Sequence, residues 1–277
     1  MKKYLITLDV NGTLLNTDYR STSPTINGVI DQLQKEGHTF ILNSNRAFED
    51  LDCLSKLFGI KGPIITENGC FISKPNIPKH IDLVSLQTKE ELQKVHYIIH
   101  EVIKNYFPET LFFKGDSTDI NKHLDIQEIP ENKKHIFIMN EYRRFTISIH
   151  VKKIEGNKLV RDIETVKLFH QYVNEEVQKQ DYNFKIEYTE PFANLLICPT
   201  ENTKQKAFQT LIKDYPKHLN IFITDDALDK PSQNEIDYFF VVGNASNEAK
   251  EMANYVASEN ITKGVEEILL KIDTLIK

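Results

Sequence analysis

Apolar residues arrive along this chain in two rhythms. Short unbroken runs suit strands buried on both faces of a parallel sheet. They are Tyr4-Leu5-Ile6-Thr7-Leu8, Thr39-Phe40-Ile41-Leu42, Ile64-Ile65, Ile221-Phe222-Ile223 and Tyr238-Phe239-Phe240-Val241-Val242. Between the first three, the spacing changes to that of amphipathic helices. Ile26, Val29, Ile30 and Leu33 form one stripe closed by Gly37, and Ser23-Pro24 ahead of it reads as an N-cap followed by proline at the first helical position. Phe48, Leu51, Leu54, Leu57 and Phe58 form a second stripe, closed by Gly59. Strand, helix, strand, helix, strand predicts a Rossmann-like, doubly wound parallel α/β sheet.

The rhythm changes near residue 84. Thr88 and Glu91 predict a capping box, opening a helix with Leu92, Val95, Ile98, Ile99 and Val102 on one face and stopped by Pro108. Strand-like pieces follow at 111–113 and 144–151, the second alternating with period two as a half-exposed antiparallel strand does. A second helix is predicted over about 160–177, then strands over 184–188 and 194–197. This α-β-β-α-β-β segment, 84–198, is expected to be an α+β domain inserted into a discontinuous α/β core of 1–83 and 199–277. In the returning core, Asn202-Thr203 caps a helix carrying Ala207, Phe208, Leu211 and Ile212, and an amphipathic tail runs from Thr262.

Composition narrows the setting. The 277 residues are 40% hydrophobic and 27% charged, with a formal net charge of -6, which argues against a general affinity for nucleic acid or anionic membrane. Cys53, Cys70 and Cys198 are scattered and lack metal-ligand spacing, as reduced thiols would be. The apolar run behind Met1-Lys2-Lys3 ends at Asp9, too short for an export segment, and no stretch approaches membrane-spanning length. A cytoplasmic protein, monomer or homodimer, is expected.

Polar residues of particular kinds end the predicted core strands: Asp9, Ser44, the Glu67-Asn68-Gly69 turn, and the Asp225/Asp229 pair. A parallel sheet gathers such ends on one edge, where ligands bind in open α/β folds. Lys204 starts a helix returning to that edge. Converging carboxylates repel unless a cation sits among them, and oxygen-only ligation suits Mg²⁺ better than zinc. A hydroxyl, a lysine and the N–H groups of Asn11, Gly12 and Thr13 beside that metal would hold a phosphate dianion. Singly, each residue has an ordinary explanation as a cap, a turn or a surface charge. Their joint order and spacing carry the reading.

At these residues the sequence resembles the haloacid dehalogenase-like phosphatases, in the branch with a large α+β cap after the third core strand. That branch includes Cof-type sugar phosphatases, sucrose-phosphate phosphatase-like enzymes and phosphoglycolate phosphatases. The resemblance implies that Asp9, in Leu8-Asp9-Val10-Asn11-Gly12-Thr13-Leu14, is a nucleophile that becomes aspartyl phosphate. It implies that Ser44 is the phosphate-binding hydroxyl of Ser44-Asn45-Arg46, and that Lys204 balances charge on nucleophile and phosphate. It further implies that Asp225 and Asp229 hold Mg²⁺ with Asp9 and the main-chain carbonyl of Asn11. Gly12, Asn45, Arg46, Asn68 and Asn244 are candidates for touching a small phosphorylated substrate.

The departures are informative. Asn11 stands where the family has a second aspartate, which protonates the leaving oxygen and then activates water. An amide does neither, and losing a positioned acid/base typically costs about 10²- to 10⁴-fold. Three readings stay open: a substitution introduced to trap a complex, a reaction whose leaving group needs no proton or which passes the phosphoryl group elsewhere than to water, and a retired phosphatase that binds a phosphometabolite. Thr224 replaces a glycine and Leu228 an asparagine, the latter removing a hydrogen bond that orients Asp229. In the insert, Lys114, Arg143, Arg144 and Lys152 are cationic candidates, with Arg144 and His150 expected on one strand face. The expected activity is that of a phosphatase for a sugar phosphate or a phosphoglycolate-like acid. Its competitors are a regulatory binding protein and a phosphotransferase on the same scaffold.

Overall fold

The computed structural model describes residues 2–75, 77, 80–116 and 124–276, and the chain divides into two units, Met1–Leu83 with Asn202–Lys277, and Val84–Glu201. The first stretch of the core runs β1 (Lys3–Leu8), α1 (Ile26–Lys35), β2 (Thr39–Asn43), α2 (Phe48–Phe58) and β3 (Ile64–Thr66), then the short β4 (Phe71–Ser73) and β5 (Ile81–Asp82). The inserted unit holds α3 (Leu86–Tyr106), β6 (Thr110–Lys114), β7 (His135–Met139), β8 (Ile147–Glu155), β9 (Lys158–Arg161), α4 (Ile163–Gln178), β10 (Phe184–Thr189) and β11 (Asn194–Pro199). The core resumes with α5 (Lys204–Leu211), β12 (His218–Thr224), β13 (Tyr238–Val241), α6 (Asn247–Met252), β14 (Tyr255–Val256), α7 (Ile261–Leu270) and α8 (Ile272–Leu275).

The core sheet has the order β14-β13-β12-β1-β2-β3-β4-β5, parallel from β14 to β3 and antiparallel across β4 and β5. Succession proceeds one way from β1 to β3 and the other way from β12 to β14. The strand order therefore reverses between β1 and β12, the place where open α/β sheets form a ligand crevice. Period-two alternation splits the apolar residues between two helix layers. Ile6, Leu8, Phe40, Leu42, Ile221 and Ile223 pack with Ile30, Val265 and Ile268 from α1 and α7. Leu5, Ile41, Ile65, Phe222 and Phe239 pack with Ala207, Phe208, Leu211 and Ala249 from α5 and α6. Both faces are covered, which is why these strands read as continuous apolar runs.

The inserted unit is a six-stranded sheet, β10-β11-β8-β7-β6 with β9 on β8, antiparallel except for β6 and β7. Val95, Ile99 and Val102 of α3 and Phe169, Val173 and Val177 of α4 bury one sheet face through Phe137, Ile147, Ile149, Val151, Leu195 and Ile197. β11 continues through Pro199, opposite Phe184.

Several sequence expectations need correction. The first helix starts after Thr25, not Ser23, because the Ser23 and Thr25 hydroxyls both donate to Glu266 of α7, at 2.7 and 2.5 Å. The long helix of the insert opens at Leu86, with Ser85 Oγ accepting from the Thr88 N–H at 3.1 Å. Thr88 therefore lies inside the first turn and donates to Glu201 instead. Strand β8 begins at Ile147, so Arg144 sits in the preceding loop and shares no strand face with His150. Residues Val160 and Arg161 belong to β9, and Asp162 caps α4 through the Thr165 N–H. Two strands of the insert, β7 and β9, were absent from the α-β-β-α-β-β expectation.

The C-terminal elements are tied down by one carboxylate. Glu267 accepts hydrogen bonds from Tyr255 Oη, the N–H and Oγ of Ser258, the Glu259 N–H and Lys271 Nζ, at 2.5 to 3.1 Å. Partial burial opposes its ionisation, but the bonds from Lys271, Tyr255, Ser258 and Glu259 outweigh it and hold Glu267 at about 2. A carboxyl lowered in the folded state stabilises above its unfolded pKa, and that contribution is lost as pH falls from about 4.5 toward 2. Glu267→Ala strands two backbone donors and is expected to cost about 1–3 kcal/mol near neutral pH. Urea denaturation should show that gap shrinking as the buffer approaches pH 2 to 3.

Candidate active site

Asp9 directly follows β1, and its N–H continues the sheet pairing by donating to Ile223 O at 3.0 Å. This places the carboxylate at the reversal point, between the ends of β1 and β12. It is buried, 4% exposed. Thr203 caps α5 by accepting from the Lys206 N–H, and the helix opens on Lys204. Lys204 Nζ donates to Asp9 Oδ1 at 2.6 Å and to Asp229 Oδ2 at 2.8 Å. Burial disfavours its cation, but Asp229 and Asp9 outweigh that and raise it above the ordinary lysine value. Burial likewise pushes Asp9 up to about 7, against the pull of Lys204 and with Asp229 and Asp225 adding to it.

The acidic pair hangs from the end of β12. Thr224 Oγ1 donates to Asp229 Oδ2 at 3.0 Å. That bond orients Asp229, while Leu228 at the neighbouring turn is 73% exposed. Thr13 Oγ1 holds Asp225 Oδ1 at 2.9 Å. Gly12 passes Asp225 with φ +80°, and a Cβ there would drive into the Asp225 carboxylate. Burial raises Asp225, with the Thr13 bond opposing.

On the other side, the turn after β3 positions the loop after β2. Glu67, Asn68 and Gly69 all have positive φ, at 48°, 57° and 87°. This lets the Thr66 Oγ1 and the Glu67 N–H donate to Arg46 O, and the Asn68 N–H donate to Ser44 O. Arg46 in turn donates through Nε and Nη2 to Asn11 Oδ1, at 3.0 and 2.7 Å, while its guanidinium lies 4.7 Å from the Tyr19 ring centre.

Asp9, Asn11, Ser44, Asn45, Lys204, Asp225, Asp226 and Asp229 line one cavity of about 170 Å³. The other candidates stand behind it. Arg46 acts through Asn11, and Asn68 contributes its backbone. Asn244 braces the loop after β1, donating to Gly12 O at 2.8 Å and accepting from the Ile261 N–H at 2.7 Å. Sequence reasoning missed Asp226, and with it the supporting roles of Thr13, Tyr19 and Thr224; adjacency to Asn11 and Asp225 was the available signal for all but Tyr19. In the insert, Arg143 Nη1 donates to Thr146 Oγ1 at 2.8 Å. Lys114 lies on β6, and Arg144 is exposed in its loop. His150 faces Phe192 O, and burial lowers it to about 4, so its ring is neutral near pH 7.

The donor set fits a hard divalent cation. Four aspartates and Asn11 line the cavity, and one lysine offsets only part of the negative charge of Asp9, Asp225 and Asp229. Among the described residues no three His, Cys, Asp or Glu side chains are grouped closely enough to hold a metal ion, and the Lys204 ammonium takes one oxygen each of Asp9 and Asp229.

Known proteins share this arrangement of elements. The haloacid dehalogenase-like hydrolase profile matches residues 6–269. A mannosyl-3-phosphoglycerate phosphatase of Pyrococcus furiosus is 26% identical over 160 residues, 55% of this chain and 62% of that protein. A 5-amino-6-(5-phospho-D-ribitylamino)uracil phosphatase of Bacillus subtilis is 28% identical over 117 residues, 38% of this chain and 42% of that protein. The matched regions thus span less than two thirds of either relative. A haloacid dehalogenase-like hydrolase structure from Bacteroides thetaiotaomicron superposes with a TM-score of 0.69 at 18% identity, over 98% of this chain and all of that one. On the profile match, which spans both stretches of the core and the insert between them, the chain belongs to the haloacid dehalogenase-like hydrolases.

Proposed function

We propose that the chain is an Mg²⁺-dependent phosphatase that transfers the phosphoryl group of a small phosphorylated metabolite to Asp9 and then to water. The observation that carries this reading is the buried Asp9 carboxylate at the sheet's reversal point, paired with Lys204 in a cavity shared with Ser44, Asp225 and Asp229. Asp9 attacks phosphorus and the bond to the leaving oxygen breaks, giving an aspartyl phosphate. Lys204 favours the ionised form of Asp9 against its burial and supplies positive charge beside the transferring group. The Ser44 hydroxyl and the loop N–H groups bind phosphoryl oxygens. Asp9, Asp225, Asp229 and the Asn11 carbonyl would hold Mg²⁺, which when bound neutralises phosphoryl charge.

Substrate choice is assigned to the inserted unit, whose β8 carries Ser148, His150 and Lys152 on the sheet face away from α3 and α4. A sugar phosphate or phosphoglycolate-like acid, a cytoplasmic location and a monomer or homodimer complete the reading. Incubation with a panel of phosphate esters and Mg²⁺ should release inorganic phosphate, and chelation should stop it. Binding of phosphate analogues without turnover of any ester would instead make the chain a phosphometabolite-binding protein. Transfer to an added alcohol faster than to water would make it a phosphotransferase.

A further inference from the structure

The orientation of Asn11 limits what this site accepts. An arginine only donates hydrogen bonds, so the atom of Asn11 that meets both Nε and Nη2 of Arg46 is its carbonyl oxygen. Stacked on Tyr19, Arg46 fixes that assignment. The amide nitrogen therefore points away from Arg46, with no acceptor among the described residues, on a residue that lines the cavity beside Asp9. A hydrogen-bond donor stands there in place of an acid. It stabilises negative charge on an oxygen but cannot release a proton to it. The neighbouring ammonium of Lys204 is held by Asp9 and Asp229 and does not replace the lost acid.

We propose that the site is specific for phosphate carried on an oxygen that leaves as a stabilised anion: an acyl phosphate above all, and among sugar phosphates the anomeric ones. The inference rests on the phosphatase reading above and revises its substrate, keeping the anomeric sugar phosphates, adding acyl phosphates and dropping phosphoglycolate-like esters. Asp9 attacks phosphorus, the bond from phosphorus to the leaving oxygen breaks, and its electron pair stays on that oxygen. A carboxylate, the conjugate base of an acid near pKa about 4, departs without a proton. A primary alkoxide, comparable to hydroxide from water of pKa about 15.7, does not. Water then attacks the aspartyl phosphate, Asp9 leaves as carboxylate, and both hydrogens of the water end on the released phosphate. Arg46 is a positioning residue for Asn11.

The test compares acetyl phosphate with ethyl phosphate, which share a two-carbon skeleton, in Mg²⁺, for the native chain and Asn11→Asp. Because Arg46 would pair with an introduced carboxylate, Asn11→Asp/Arg46→Leu is run beside it. The native chain should prefer acetyl phosphate in kcat/KM, and one of the two aspartate variants should narrow that preference by about 10²- to 10⁴-fold by gaining ethyl phosphate turnover. A preference that is the same in all three chains would overturn the inference and leave the phosphatase reading intact. No turnover of either compound by any chain would overturn both.

Discussion

Asp9→Asn is expected to lower phosphate release by about 10⁴-fold or more, on the scale of deleting the nucleophile in other covalent hydrolases. The substitution keeps the size of the side chain and removes the attacking oxygen's charge. It should not unfold the core. Asp9 is buried, and its ionised form is disfavoured enough to raise it to about 7, so a neutral amide relieves an unfavourable burial. Lys204 retains Asp229 as a partner, at 2.8 Å. The expected signature is therefore inactivity with equal or higher stability in urea near pH 8, where native Asp9 is charged. A variant that keeps a tenth of native turnover would remove Asp9 from the nucleophile's role and, with it, the covalent mechanism.

The strand ends were legible because burial on both faces forces apolar runs, and each run stops where the chain leaves the sheet. Asp9, Ser44, Asp225 and Asp229 were found that way, and the structure gathers all four around one cavity. What periodicity does not encode is which side chain holds which. Arg46 and Asn11 are 35 residues apart and meet because β1 and β2 are neighbours in the sheet, while the turn after β3 holds the Arg46 loop. Thr224 looked like a mild departure, and its value lies in a bond to Asp229 that only the folded turn defines. The insert was harder because several of its strands are unevenly exposed, as in β9 and β10. Even so, a signal for β9 was present: Gly156-Asn157 is a two-residue turn with Glu155 opposite Lys158, and Gly156 adopts φ +60°. β7 was legible as well: Ile136-Phe137-Ile138-Met139 is an unbroken, buried apolar run like those of the core strands.

Lys204→Met should damage stability and activity together, in a way that depends on pH. The methionine fills similar space but leaves Asp9 and Asp229 without the ammonium that now bonds both, and breaking such a buried pair typically costs about 3–5 kcal/mol. The pH dependence follows from Asp9. Its folded pKa of about 7 lies above its ordinary 3.8, so proton loss from Asp9 costs stability progressively across that window and fully above it. Lys204 is a cause that lowers Asp9, so without it the folded value rises further and the charged form becomes still less tolerable. At pH 5 Asp9 is mostly protonated in both chains and needs the lysine less. The stability gap between native and Lys204→Met chains, read from urea denaturation in chelator, should therefore be small near pH 5 and widen toward pH 8. A gap that stays constant across that range would mean that Lys204 supports the fold by packing alone, and that the charge balance assigned to Asp9 lies elsewhere.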